Sequence, residues 1–142
     1  MLAELELKTS AIPAHHQPIY RLEALLLTQP QVECPVEHAY CAGIYARTMH
    51  IPAGTVLTGA VHKHESFFVV RRGRIAVTTD QGTKVLEAGD QLVSPAGCKR
   101  AGLALEDTVV TTYHANPTDE RDESRMWDLF VEPAPATLLE AA

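Results

Sequence analysis

The chain has 142 residues, a formal net charge of −6, and 46% apolar against 21% charged residues, which reads as one globular domain with enough apolar content for a core. The acidic balance argues against a phosphate-backbone partner, which would call for clustered Lys and Arg. No stretch approaches the ~20 apolar residues that span a bilayer, and Glu4, Glu6 and Lys8 interrupt any signal-peptide core, so a cytoplasmic protein without membrane contact is expected.

Residues 1–42 read as an N-terminal arm. Pro13, Pro18, Pro30 and Pro35 break the backbone repeatedly, and between them Leu22, Leu25 and Leu26 fall on one face of a short amphipathic helix over 21–27. An arm this apolar is expected to pack on its own domain or on a second subunit. Cys34, Cys41 and Cys98 are odd in number and form no CxxC pair, which predicts buried free thiols.

From 43 to 115 the pattern changes to short β segments between turn residues. Strands are expected over 43–51, 55–61, 66–70, 74–79, 83–87, 91–94 and 108–115, with Asp80-Gln81-Gly82 as a tight hairpin. By alternation Phe68, Val70, Ile75 and Val77 should fill the interior. The cluster Arg71-Arg72-Gly73-Arg74 spans a turn and reads as a solvated turn or a contact between subunits. Residues 116–142 form the third zone. Thr118 or Asp119 is expected to cap a helix burying Trp127, Phe130 and Val131, and a small-residue tail follows Pro133 and Pro135.

The β zone resembles the cupin family. Gly54, Ala60, His62, Ser66 and Gly73 stand at the spacings of the first cupin motif: glycine, His-x-His, glutamate, glycine. Gly89, Pro95, Gly97, Arg100 and Ala104 stand at those of the second: glycine, Pro-x-Gly, histidine, asparagine. The resemblance implies an all-β fold, a cupin-type jelly-roll β-barrel flanked by a short N-terminal helix and arm and by a C-terminal helix. The family's metal chemistry does not carry over in the same way. Of the four ligand positions, His62 alone keeps its residue type, while Ala60, Ser66 and Arg100 occupy the others. Alanine offers no donor atom, and a guanidinium repels a cation. No cofactor is therefore expected. A further resemblance, to small cupin-domain proteins encoded in tailed-bacteriophage and prophage genomes, runs over roughly residues 20–125. It rests on Ile51-Pro52-Ala53-Gly54-Thr55-Val56-Leu57-Thr58-Gly59, on His62-Lys63-x-Glu65, on Pro95-x-Gly97-x-Lys99-Arg100, and on Glu106-Asp107-Thr108 through Thr111-Thr112-x-His114.

A relocated site for a divalent transition metal such as Zn²⁺, Fe²⁺ or Ni²⁺ would draw on His62, His64, Glu65 and His114. Against it, Glu65 follows His64 directly and alternation turns it to the opposite face, which favours a polar turn. Arg100, if inward, needs an acceptor, and Glu65 or the hydroxyls of Ser66 and Thr112 are the candidates. Such an arginine would serve either a barrel-interior ion pair with Glu65 or an anionic small molecule.

The reading that follows is a non-enzymatic structural or interaction protein. On the phage resemblance it is a virion component such as a capsid-decorating cement protein, forming a homodimer or higher assembly and contacting the major capsid protein. It would lie in the cytoplasm of the bacterial host and then in the virion. The alternative is a metal-dependent cupin, a dioxygenase, isomerase or small-molecule sensor, using the histidine-rich group.

Overall fold

A computed structural model describes residues 12–133. Nine strands follow a first helix: α1 Gln17–Leu27, β1 Val36–Cys41, β2 Ile44–Ile51, β3 Val56–Thr58, β4 Ser66–Arg72, β5 Arg74–Thr79, β6 Gly82–Glu87, β7 Gln91–Ser94, β8 Ala101–Ala104 and β9 Thr108–Ala115. The helix α2, Glu123–Phe130, closes the described chain. The strands form two antiparallel sheets, one of five strands in the order β1-β2-β9-β4-β7 and one of four in the order β3-β8-β5-β6. Two such sheets packed face to face make the expected jelly roll.

Most strands lie where β-branched runs and turn residues place them. Two were not expected. Val36–Cys41, inside the segment read as an arm, forms a hairpin with β2, and Ala101–Ala104 pairs with both β3 and β5. The first lies just behind Pro35, and the second is a four-residue run, Ala-Gly-Leu-Ala, with weak β preference. Tertiary pairing holds both. Gly73 between β4 and β5 has φ +81°, and a Cβ there would overlap the Asp107 carbonyl oxygen, so this turn requires glycine.

The core lies between the sheets. Val70, Ile75 and Val77 are buried with Ile51, Leu86, Ala104 and Val110, and Phe68 packs against them half-buried. A second cluster joins Tyr45 to Met126, Phe130 and Val131, which docks α2 against the open end of the barrel. The expected stripe of Trp127, Phe130 and Val131 is corrected at one position. Met126 turns inward, and Trp127 is 58% exposed. The helix also starts later than expected, because Asp122, not Thr118 or Asp119, accepts from the amides of Ser124 and Arg125. Buried Asn116 shapes the preceding turn, bonding Glu120 through both its amide nitrogen and its oxygen. Beyond α2 the chain runs beside Val61–Lys63, with Val131 bridged to His62 and Glu132 donating to the Val61 carbonyl.

Helix α1 starts earlier than its leucine pattern suggests, with Pro18 in its first turn, and buries no residue fully. It is fastened by charge. Lys99 Nζ lies 2.9 Å from Glu23 Oε2 and donates to the Gly59 carbonyl at 2.6 Å, beneath the Tyr20 ring. Glu23 Oε1 also accepts from Thr58 Oγ1. The Lys99 side chain is 3% exposed and that of Glu23 23%. The three cysteines are free, but Cys41 is exposed, against the expectation of burial, since it ends β1 beside the β1–β2 turn. No described helix is long and apolar enough to cross a membrane.

The buried pair sets a stability expectation. Glu23→Ala should cost about 3 kcal/mol in urea denaturation because it leaves the Lys99 ammonium buried and unpaired. Lys99→Met, which keeps the apolar stem, should cost clearly less. Equal losses from the two substitutions would show that packing of α1, and not charge, holds the helix.

Candidate functional site

The inner face of the five-stranded sheet is ordered by register. Val36, Met49, Val110 and Val70 form an apolar row. The next inward row runs His38, Arg47, Thr112, Phe68 and Leu92, and the outermost runs Tyr40, Tyr45, His114, Ser66 and Ser94. Polarity thus rises towards the end that α2 covers. Between the sheets lies an open-mouthed cavity of about 560 Å³, reached by residues of all three rows, by Arg100 and Cys98 from the β7–β8 connection, and by α2. The barrel's own strands therefore do not fill it, contrary to expectation, because Ala60, Ser66, Ser94, Ala101 and Gly102 line the wall with small side chains.

Aromatic rings crowd the mouth. His62 and His114 stack with centroids 5.0 Å apart, and His114 also stacks on Tyr45 and Phe130 at 5.7 Å each. Burial, followed by the Arg47 charge, pushes the His62 pKa down. Burial, then the neighbouring His62, then Arg47 bring that of His114 down to about 4. Both imidazoles are thus neutral near pH 7, and His114 Nε2 lies 2.8 Å from Thr112 Oγ1.

The residues singled out from sequence divide. His62 and His114 meet at the cavity, but His64 and Glu65 are exposed at the surface turn that follows His62. Among the described residues no group of three or more His, Cys, Asp and Glu is placed to hold a metal ion. The four positions that the resemblance assigns to metal ligands put Ala60, Ser66 and Arg100 on the cavity wall beside His62. One imidazole, one hydroxyl, a methyl group and a guanidinium do not make a cation site.

Arg100 does face the cavity, but its partner is not Glu65. Its Nη1 donates to Ser94 Oγ at 2.7 Å and its Nη2 to the Val93 carbonyl at 3.4 Å, while Glu65 is exposed in the turn before β4. The buried ion pair belongs to the neighbouring Lys99. Three cavity residues escaped the sequence reading. Arg47 lines the cavity, and its guanidinium has no hydrogen bond or ion pair with any described residue. His38 and Tyr45, two rungs of the β1–β2 hairpin, meet through a 2.6 Å hydrogen bond. The alternation of β2 is the signal that could have placed Tyr45 and Arg47 on the inner face with Met49 and Ile51.

Comparison with known proteins agrees with this architecture. The model of the cupin domain family matches residues 47–118, half of the sequence, and the chain belongs to that family. A search of curated proteins finds no match. Among solved structures, KdgF from Halomonas sp. is 22% identical, with 67% of this chain and 88% of that one covered and a TM-score of 0.54. The salicylate 1,2-dioxygenase of Pseudaminobacter salicylatoxidans is 20% identical over 77% of this chain, with a TM-score of 0.55, and this chain spans 34% of it. The cupin domain of an XRE family transcriptional regulator from Enterobacter cloacae is 11% identical, with 59% of this chain and 97% of that one covered and a TM-score of 0.52. At these identities the likeness is one of fold.

The two histidines make stability pH-dependent. A histidine whose pKa falls on folding binds its proton more weakly in the folded state. Its contribution is complete above the ordinary value of 6.5 and is lost as pH drops towards the folded value. For His114, whose folded value is about 4, the loss should reach roughly 3 kcal/mol, with His62 adding in the same direction. Urea midpoints between pH 7 and pH 4 check this, and His114→Gln should flatten the dependence.

Proposed function

We propose that this cupin is a metal-free binding barrel for a small anion with an apolar body. The observation that carries the reading is Arg47, a guanidinium on the cavity wall without an acceptor among the described residues. Its N–H donors have no protein acceptor among the described residues, and an anion would supply one. Arg100 adds a second cation, and the carboxylate of Glu123 at the mouth is already engaged by His38. Below Arg47 the wall is apolar, through Met49, Ile51, Val110, Ile75 and Val77. A carboxylate with a hydrocarbon tail matches that gradient, the head on guanidinium and the tail on the inner rows.

Calorimetry with octanoate and 1-octanol tests it. Octanoate should bind at least ~10-fold tighter, the contribution of one charge-assisted hydrogen bond. Arg47→Gln should remove most of that difference. Equal affinity for the two probes, or no binding of octanoate at millimolar concentration, would overturn the reading.

A second reading, interaction through surfaces, is favoured by the outside of the barrel. Val56, Leu103, Ala76 and Val85 lie side by side across the four-stranded sheet, and all but Ala76 are exposed. Leu25 and Leu27 on α1 and Trp127 and Leu129 on α2 are exposed as well. Such surface supports a homodimer, and in the setting of the phage resemblance a capsid-decorating virion protein that also meets the major capsid protein. Sedimentation at micromolar concentration should give at least a dimer, and Leu103→Lys with Val85→Lys should yield monomer. A monomeric parent chain removes this reading and leaves the anion reading untouched.

A further inference from the structure

A second group of residues in the cavity wall is arranged for moving protons. His38 on β1 places Nδ1 2.6 Å from Tyr45 Oη and Nε2 3.0 Å from Glu123 Oε1 at the start of α2. A carboxylate only accepts hydrogen bonds, so Nε2 carries the proton. The other nitrogen of a neutral imidazole is then an acceptor, and the Tyr45 hydroxyl donates to it. The three side chains form one unbranched chain, from a solvent-facing carboxylate (71% exposed) through a quarter-exposed imidazole to a phenol in the cavity wall.

Tyr45 is 4% exposed, and its ring is stacked on those of Tyr40, His38, His114 and Phe130. Its hydroxyl is therefore held in one place. Burial pushes its pKa up to about 12, so it does not ionise by itself near pH 7. A base is needed behind it, and His38 stands there. Two residues along β2, Arg47 projects from the same face into the cavity.

We propose that Tyr45, His38 and Glu123 form a proton relay with which the cavity enolises a bound carboxylate that carries an acidic C–H next to a carbonyl. The proposal rests on the anion reading above and adds chemistry to it. In the forward step the Tyr45 oxygen takes the substrate proton while its own hydroxyl proton passes to His38 Nδ1. The C–H electron pair becomes the enolate, whose oxygen is met by the Arg47 guanidinium. The imidazolium is balanced by the Glu123 carboxylate 3.0 Å from its Nε2. Return of a proton through Tyr45 to carbon regenerates the keto acid, and delivery to oxygen gives the enol. One proton enters the phenol from carbon and one leaves it for His38 Nδ1, and the return step reverses both, with no oxidant, no metal and no bond to the protein. Tyr45 is the catalytic residue, and His38 and Glu123 act through it.

Phenylpyruvate is the probe, and the readout is exchange of its methylene protons in D₂O followed by proton NMR with the full chain. The expected result is exchange at least ~100-fold above buffer at saturating protein, the usual reach of a positioned acid–base group. Tyr45→Phe keeps the stacked ring and should return exchange to the buffer rate while calorimetry still shows phenylpyruvate bound. Glu123→Gln, at an exposed position, should lower kcat about 10-fold or more with KM unchanged, whereas a structural role would move neither selectively. Bound phenylpyruvate exchanging at the buffer rate, or a Tyr45→Phe variant as active as the parent, overturns the relay and leaves the anion reading standing. Failure of phenylpyruvate to bind while octanoate binds overturns the substrate class. Failure of both overturns the anion reading and the relay together.

Discussion

The register of β1, β2, β9 and β4 is the constraint on which the rest depends. Antiparallel pairing puts Tyr45 opposite His114 and His114 opposite Ser66, and it sets Arg47 between His38 and Thr112. Because side chains alternate with a period of two, a slip of one residue in β2 would send Tyr45 and Arg47 outward and bring Ala46 and Thr48 in. The apolar row of Val36, Met49, Val110 and Val70 pins the register from within, since those residues lose water only in this pairing. The polar rows above are carried along. The core therefore positions the chemistry, and the cavity chemistry does little to hold the fold.

Electrostatics then decides what that cavity accepts. At four positions of the resemblance the wall offers Ala60, His62, Ser66 and Arg100, and Arg47 stands nearby on β2. In a partly dehydrated space a guanidinium acts on its surroundings over several ångströms, which is why Arg47 weighs on both His62 and His114. Burial and this positive field act in the same direction, and both imidazoles stay unprotonated. Two neutral rings stacked at the mouth give a flat apolar surface with few polar edges. The field that keeps the histidines neutral also disfavours a cation beside them.

Much of the fold was legible in the sequence because turn glycines and β-branched runs report directly on backbone conformation. Strands β5, β7 and β9 lie where their residues place them, and Val70, Ile75 and Val77 are buried as alternation requires. What stayed hidden depends on long-range partners. Strand β8 is short and lacks β-branched residues, and it exists because β3 and β5 flank it. The site was half legible. Spacing located His62 and Arg100, but the Arg100 partner lies six residues back in sequence, and the buried ion pair joins Lys99 to Glu23, 76 residues apart. The His38–Tyr45–Glu123 chain spans a hairpin and a helix start, so no local pattern announces it.

Helix α2 ties these features together through how it is held. Its N-terminus is fixed by the Asp122 cap and by the Asn116 turn, and its C-terminus by the Val131–His62 bridge, the Lys63 amide on Phe130 and the Lys63 ammonium on the Asp128 carbonyl. A helix stitched at both ends cannot swing away as a rigid lid without breaking several hydrogen bonds at once. Its first residue, Glu123, meets His38, and its inward face supplies Met126 and Phe130 to the cavity wall. Trp127 is the exception, since it borders the cavity yet remains mostly exposed. Met126, Phe130 and the Glu123 end of the proposed proton chain then share one fixed element, which keeps Glu123 beside His38 on β1.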